Sequence, residues 1–165
     1  MEEKIKLNLG SGGDVIEGYK SVDLYTKADI KDDITRLLTI KDDSVDEALT
    51  MHVLEHLRDA DVFPAMYAVF RILKPGGVWK LEVPDLIWVL NDFMNTDDQA
   101  RWGWKLQTIF GLQSHPGEYH KTGFSDWRLG QMLKEVGFTN IKIDSHFSER
   151  YNQGVISAEV TKPNG

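Results

Sequence analysis

The sequence predicts an α/β fold in which helices pack on a mostly parallel β-sheet. Three observations favour it: alternating apolar runs near the N-terminus, a change to helical spacing between Val62 and Leu73, and two closing strands with no helix between them. Strands that alternate with helices indicate a parallel sheet, and the last two strands indicate an antiparallel C-terminal hairpin at one edge. At 165 residues the chain has a common single-domain size, so one domain over residues 1–165 is expected.

The first half of the chain carries four short strand patterns. In the first, Ile5, Leu7 and Leu9 alternate with polar residues, and Gly10 ends the run. Few residues separate this strand from the next, so the first crossover connection is expected to be abbreviated, with one turn of helix at most. The four strands are expected at residues 5–9, 21–24, 28–34 and 45–52.

Helical patterns dominate the second half. One helix is predicted to begin with a cap at Asp59 or Asp61, with Pro64 in its first turn. Residues 86–123 are expected to form a helical lid on the substrate side of the domain. Ser125 is predicted to cap the next helix, which Gly137 ends. The remaining strands are expected at residues 78–83, 138–143 and 155–160.

Composition and charge exclude several classes of function. The net charge of −7 and the pI near 5.2 disfavour bulk nucleic-acid binding, which depends on Lys and Arg contacts to phosphates. The chain has no Cys, so disulfides and thiolate metal sites are unavailable. No segment has the length of a membrane span, and the first residues lack the pattern of a signal peptide. We therefore expect a cytoplasmic protein with no membrane partner.

The stretch LNLGSGGDVIEG, residues 7–18, predicts a tight turn under a ligand. A dinucleotide fingerprint requires a third glycine where Val15 stands, and no G-K-[ST] follows as in a phosphate-binding loop. There is also no room for the crossover helix whose N-terminus would bind a pyrophosphate. The spacing therefore favours a ligand without phosphates.

Acidic residues after the second and third strands indicate a nucleoside site. Asp23 can accept hydrogen bonds from both ribose hydroxyls, as acidic residues at the end of a second strand do. Asp33 can accept from an adenine amino group while Ile34 packs on the ring. The alternatives are a strand-ending turn for Asp23 and a solvated loop around Asp33.

The ordered segments LNLGSGG, SVDL, DDI, SVDEALTMHVLEHL and ILKPGGVWKLEVPDL resemble those of the class I S-adenosylmethionine-dependent methyltransferases. In particular, they look like the short predicted methyltransferases of the Methyltransf_11 type, and HKTGFSDWRLGQMLKEVGF is similar to their C-terminal segment. The resemblance implies a Rossmann-like fold, S-adenosylmethionine as cofactor and S-adenosylhomocysteine as product. It also implies cofactor binding by Leu9, Gly10, Ser11, Gly12, Asp23, Asp33, Ile34, Met51 and His52.

One departure from the family pattern bears on the cofactor site and another bears on the acceptor. Asn8 stands where many members carry an acidic residue. Residues 51–54 replace the Asn-Pro-Pro-aromatic motif of amino-directed DNA methyltransferases, which disfavours methylation of base nitrogens. The expected reaction is methyl transfer to a small-molecule or saccharide acceptor, at oxygen. A non-catalytic domain that binds S-adenosylmethionine or a nucleoside is the alternative.

Three side chains are candidates for a catalytic base. Asp85 follows the fifth strand and is expected to face the substrate, while His115 and His120 lie in a loop that could cover the ligand. The alternative for both histidines is a solvated loop without chemistry. Methyl transfer depends chiefly on alignment of the reacting atoms, so no fixed triad is required. Trp102 is expected in the core. Two roles are open for Trp88, Trp104 and Trp127, which either pack in the core or form an aromatic wall for the acceptor.

Residues 52–56, HVLEH, spell the H-x-x-E-H motif of a class of zinc hydrolases. That chemistry requires a helix already formed at His52 and a third protein ligand. The preceding residues are typical of a strand running into a turn, so a zinc hydrolase is a remote alternative. Glu55 and His56 are expected to pair with Arg58 or to cap the following helix, and no metal is expected at the site.

Overall fold

The computed structural model describes residues 4–165; the acidic start, residues 1–3, lies outside the described residues. Its strands are β1 (Lys6–Leu9), β2 (Lys20–Asp23), β3 (Ile30–Lys31), β4 (Val45–Met51), β5 (Leu73–Pro84), β6 (Thr139–Ser148) and β7 (Gln153–Thr161). They form one sheet in the order β3-β2-β1-β4-β5-β7-β6. The first five strands pair in parallel, whereas β7 is antiparallel to both β5 and β6. The predicted mostly parallel sheet with an antiparallel C-terminal hairpin is confirmed.

The connection from β1 to β2 is short. Residues 10–19 contain turns and no helix, yet Leu7 pairs in parallel with Lys20 and Leu9 with Val22. This agrees with the abbreviated crossover expected from the sequence. The third strand is shorter than predicted, since only Ile30 and Lys31 have strand pairing.

The helices are α1 (Asp59–Ile72), α2 (Leu86–Asn95), α3 (Asp98–Ala100), α4 (Leu106–Phe110) and α5 (Asp126–Val136). Tight 3-10 turns form at Leu54–His56 and Pro116–Glu118, and the segment Arg101–Lys105 joins α3 to α4 through a kink at Gly103. No helix among residues 4–165 is long and apolar enough to cross a membrane.

Two helix ends test the cap predictions. Ser125 caps α5 by accepting a hydrogen bond from the Arg128 N–H, and Gly137 ends that helix at φ +108°, as predicted. The prediction for α1 is wrong, because its N-cap residue is Arg58, which makes no side-chain cap. Asp59 opens the first turn instead, and Pro64 lies one turn further along than expected.

A continuous hydrophobic core fills the space between the sheet and its helices. Trp79 of β5 is fully buried there, and its indole Nε1–H donates to the Thr50 hydroxyl oxygen at 3.1 Å. Trp102, expected in the core, is 65% exposed and packs edge to face with Phe93. The difference arises because Trp102 packs on Phe93 of α2 and not in the hydrophobic core beside the sheet.

Strand order positions the ligand site. The chain proceeds from β1 outward through β2 and β3, then returns to the other side of β1 with β4 and β5. Sheets of this kind bind ligands beyond the carboxyl ends of the strands where the order reverses. The reversal lies between β1 and β4, which end at Leu9 and Met51.

Candidate functional site

A cavity of about 660 Å³ lies beyond the carboxyl ends of β1, β2 and β4, and it is called the main cavity below. This volume is within the range of small-molecule and cofactor sites, roughly 300–1,000 Å³. Aliphatic, acidic and imidazole side chains all contribute to its wall. Of the residues predicted to bind the cofactor, it is lined by Leu9, Gly10, Gly12, Asp23, Asp33, Ile34 and His52.

The glycine turn after β1 is held in place by backbone contacts. Gly10 donates from its N–H to the Val22 carbonyl oxygen at 2.8 Å, at φ +68°. A Cβ on Gly10 would lie 2.7 Å from both γ-methyl carbons of Val53, so only glycine fits there. A Cβ on Gly12 would meet no atom within 4 Å. The turn therefore leaves open space above Gly12, where a ligand can approach the backbone.

Asp23 joins the glycine turn to the end of β2. Its carboxylate accepts backbone hydrogen bonds from Gly12 (2.8 Å), Tyr25 (2.8 Å) and Thr26 (2.7 Å). Burial opposes ionisation of this carboxyl, but the hydrogen bonds outweigh it and lower the pKa below its ordinary value. A buried, ionised carboxylate at the cavity wall can accept a further hydrogen bond, which suits ribose hydroxyls.

Asp33 and Ile34 follow β3 on the same wall. The Asp33 carboxylate accepts hydrogen bonds from the Thr35 N–H and hydroxyl at 2.9 and 2.8 Å, so it is held by its own loop. Ile34 is buried against the core and also borders the main cavity. An apolar side chain beside an acceptor oxygen is the environment expected around an adenine ring.

Two predicted cofactor residues are not on the main cavity. The Ser11 hydroxyl is buried without a hydrogen-bond partner. Ser11 does not line the main cavity, although its neighbours Gly10 and Gly12 do. Met51 lines a separate shallow groove with Glu82 and Lys142. Successive side chains at the end of a strand point to opposite faces, so Met51 faces this groove while His52 faces the main cavity.

His52 is held between two carboxylates. Its Nδ1 lies 3.2 Å from Glu55 Oε1 and its Nε2 lies 3.2 Å from Glu82 Oε1, while its ring packs 3.8 Å from that of Tyr151. Burial lowers the pKa of this imidazole, but the two carboxylates raise it to about 9. His52 therefore presents a cationic ring to the cavity. Its φ of +54° is a conformation that a non-glycine residue rarely adopts without a local constraint.

The structure separates the three candidates for a base. Asp85 is the N-cap of α2 and accepts from the Ile87 and Trp88 N–H groups; it does not line the main cavity. That position corrects the expectation that it faces the substrate, because residues after β5 turn directly into the helix. His115 does line the main cavity, although its Nδ1 already accepts from the Gly117 N–H at 3.1 Å.

His120 lies beside the HVLEH segment. Its ring is 4.9 Å from that of His56 in an edge-on arrangement, and burial lowers its pKa below the ordinary value. The hydrolase motif itself is not formed, since His52 precedes the turn at Leu54–His56 and faces Glu82. Glu55 and His56 were expected to pair with Arg58 or to cap the following helix, but Arg58 pairs with Asp61 and no side chain caps α1.

Sequence reasoning missed Glu82 and undervalued Glu55. Glu82 lies near the C-terminal end of β5, is buried, and also accepts from the Ser157 hydroxyl at 2.9 Å. The sequence did contain a signal for Glu82, because it is an acidic residue among the apolar residues of LEVP, residues 81–84. Glu55 is 2% exposed, which a motif of five residues could not reveal.

Comparison with known proteins gives a family match over part of the sequence and structural matches over nearly the whole fold. Residues 18–80 match the profile of a family described as a methyltransferase domain, of the Methyltransf_11 type. No curated protein matches the chain by sequence.

Solved structures of methyltransferases share the whole fold. An S-adenosylmethionine-dependent methyltransferase from Archaeoglobus fulgidus is 17% identical, with 96% of this chain and 86% of that chain covered at a TM-score of 0.65. Another from Methanosarcina mazei is 16% identical, with 100% and 95% covered at 0.64. The 1,6-didemethyltoxoflavin-N1-methyltransferase of Burkholderia thailandensis, solved with S-adenosylhomocysteine, is 12% identical, with 96% and 71% covered at 0.62.

Proposed function

We propose that this chain is a class I S-adenosylmethionine-dependent methyltransferase that methylates an oxygen of a small-molecule or saccharide acceptor; the match over residues 18–80 and the shared fold support the proposal. The observation that carries the cofactor part of the proposal is the contact between Asp23 and Gly12. It joins a ribose-binding carboxylate to a turn whose backbone is open to the main cavity.

The residues present fit the cofactor. The main cavity combines an ionised carboxylate at Asp23, an apolar wall at Leu9 and Ile34, and exposed backbone at Gly12. These groups suit the ribose, the adenine and the amino-acid part of S-adenosylmethionine in that order. When bound, the cofactor supplies the electrophilic methyl carbon. The protein must then align the acceptor and exclude water, for which well-oriented proximity lowers the barrier by roughly 7–11 kcal/mol.

We propose that the acceptor enters beside His115. The segment that contains His115, Gly117 and Lys121 is the part of residues 86–123 that borders the main cavity. Within the proposed single domain over residues 1–165, this segment would cover the substrate side. The helix α2 packs against β7 and does not line the main cavity, so we propose the lid role for the loop and not for the helices.

Oxygen is proposed as the acceptor atom because the sequence lacks the motif of base-directed nitrogen methylation and offers an imidazole at the cavity. His115 can take the proton of a hydroxyl once its Nδ1 releases the Gly117 N–H. The net charge of −7 argues against bulk nucleic acid as a partner. A cytoplasmic location is part of the same proposal.

Binding is tested first by calorimetry on the full chain. S-adenosylhomocysteine, S-adenosylmethionine and NAD are titrated separately into the wild-type protein and into Asp23→Ala. Micromolar affinity for S-adenosylhomocysteine, lost in Asp23→Ala, is expected. Tighter binding of NAD than of S-adenosylhomocysteine and S-adenosylmethionine would contradict the proposal.

Transfer is tested with methyl-tritiated S-adenosylmethionine and a panel of hydroxylated small molecules, saccharides, amines and RNA. Label on a hydroxyl or saccharide oxygen is expected. Label confined to amines or RNA would overturn the choice of acceptor. Cofactor binding without transfer to any member of the panel would favour the non-catalytic alternative.

A further inference from the structure

We propose that Glu55, His56 and His120 bind a first-row divalent metal ion; these three residues are called the metal cluster below. One ligand atom from each lies within 4.8 Å of the other two. A tetrahedral ion with ligands at about 2.0–2.1 Å needs somewhat closer donors. The side chains would have to move toward a common centre when the ion binds.

The carboxylate of Glu55 is the observation that points to a cation. Its residue is 98% buried and neither Oε1 nor Oε2 has a hydrogen-bond partner. His52 Nδ1 approaches Oε1 to 3.2 Å, but without the geometry of a hydrogen bond. His52 also contacts Glu82, so one imidazole is shared between two carboxylates. A buried charge is costly unless it is paired or binds a metal, and an ion in the cluster would satisfy Glu55.

The backbone around the cluster is already fixed. The Glu55 carbonyl oxygen accepts from the Lys121 N–H at 2.8 Å and from the Thr122 N–H at 3.3 Å. The Lys121 ammonium binds the His56 carbonyl oxygen at 2.9 Å. These contacts connect the 3-10 turn at Leu54–His56 to the loop that carries His120. Residues 65 positions apart are therefore held together by the fold itself.

The His56 ring is oriented as metal-binding histidines usually are. Its Nδ1 lies 3.2 Å from the Tyr119 carbonyl oxygen, to which it can donate. Nε2 is then the free nitrogen, and it lies 4.0 Å from Glu55 Oε1. A ring N–H bonded to a backbone carbonyl fixes the tautomer and directs the other nitrogen to the ion.

The donor set selects the class of ion. Two imidazoles and one carboxylate suit Zn²⁺, Co²⁺, Mn²⁺ or Fe²⁺, whereas Mg²⁺ and Ca²⁺ prefer oxygen donors. Three protein ligands leave at least one position for an exogenous oxygen. His56 also lines the main cavity, so that position is available to an acceptor hydroxyl, whose pKa the ion would lower. This last use rests on the proposed function, whereas metal binding does not.

The test measures metal binding directly. The full chain is treated with a chelator, dialysed, and titrated calorimetrically with ZnCl₂; Co²⁺ is added separately and its visible absorption is recorded. His120→Ala and Glu55→Gln remove one ligand each. The matched control is His146→Ala, since His146 is a half-exposed imidazole paired with Asp144 on β6. Circular dichroism checks that each variant is folded, and His120→Ala decides the result should Glu55→Gln not fold.

We expect one Zn²⁺ per chain in wild type and in His146→Ala, with Co²⁺ bands typical of imidazole coordination. Loss of an orienting partner alone weakens metal binding by 10–100-fold, so loss of a ligand should weaken it by at least about 100-fold. Equal affinity of wild type and His120→Ala would overturn the proposal, as would the absence of stoichiometric binding in wild type. S-adenosylhomocysteine is titrated into the same metal-free samples. Its failure to bind would contradict the proposed function and would leave the metal result unaffected.

Discussion

The carboxylate of Asp23 accepts a hydrogen bond from the Gly12 N–H at 2.8 Å, across eleven residues of chain. The same carboxylate that is proposed to bind the ribose therefore also holds the glycine turn in place. Cofactor affinity and local stability are expected to depend on one side chain.

Replacement of Asp23 by Ala should abolish measurable binding of S-adenosylhomocysteine. It should also lower the free energy of unfolding by about 1–3 kcal/mol, because three backbone N–H groups lose their acceptor. Calorimetry and urea denaturation measure the two effects. The control is Asp29→Ala, which removes a similar loop carboxylate bound to Ser21 away from the main cavity. Unaltered affinity in Asp23→Ala would show that the ribose assignment is wrong.

Gly10 and Gly12 should respond differently to alanine. Both have positive φ, which costs a non-glycine residue roughly 1–2 kcal/mol. Gly10→Ala adds a clash with Val53, so it should destabilise the protein more than Gly12→Ala does. The double variant Gly10→Ala, Val53→Ala should recover part of the loss that the clash causes. Thermal unfolding of the three variants checks this order, and equal destabilisation by the two single variants would contradict the close approach.

Thr50→Val should lower the free energy of unfolding by about 1–3 kcal/mol. Valine has nearly the shape of threonine but leaves the fully buried indole N–H of Trp79 without an acceptor. Trp79→Phe in the Thr50→Val background removes the unpaired donor and provides a double-mutant cycle. Urea denaturation gives the free energy of unfolding of wild type, of each single variant and of the double variant. An additive cycle would mean that the hydrogen bond contributes nothing.

Stability should fall in acid partly through Glu47. Burial raises the pKa of this carboxyl, but bonds from Lys80, Tyr19 and Lys6 lower it overall to about 2. A depressed native pKa stabilises the fold above the unfolded value of 4.5, and this contribution is lost as the pH falls from 4.5 toward 2. After allowance for screening by solvent, about 1–2 kcal/mol is involved.

The difference in unfolding free energy between wild type and Glu47→Gln should therefore be largest above pH 5 and should shrink toward pH 3. Urea denaturation at pH 7, 5 and 3 measures it. Glu135→Gln, on the exposed side of α5, serves as the comparison. A difference that is constant over this pH range would exclude Glu47 as a source of acid sensitivity.

Asp85 should act as a helix cap. Asp85→Ala should cost about 0.5–2 kcal/mol of stability, while Asp85→Asn, which keeps a capping oxygen, should stay close to wild type. Urea denaturation distinguishes the two. In the transfer assay, full activity of Asp85→Asn would agree with a cap, and loss of activity in that folded variant would restore Asp85 as a base.

Local pattern was enough to predict most of the strands and the glycine turn after the first one. The alternation around Leu7 and the glycines that follow it are effects of neighbouring residues, so they can be recognised without the fold. The exposure of Trp102 could not be foreseen in this way, because burial depends on whether another layer covers α2 to α4. Asp85 was expected to face the substrate because it ends a strand, although the helix predicted from residue 86 also makes it a possible N-cap, and the structure shows that it is the cap.

By itself, the sequence determined the α/β sheet, the abbreviated first connection and the order of motifs from Gly10 through Asp23 to His52, because each of these depends on residues close together in the chain. Only the tertiary structure decided what meets across the chain. It brought His52 between Glu55 and Glu82, and it brought His120 to Glu55 through backbone bonds between distant loops. Such contacts depend on how the sheet and loops fold together, and spacing along the sequence does not record them.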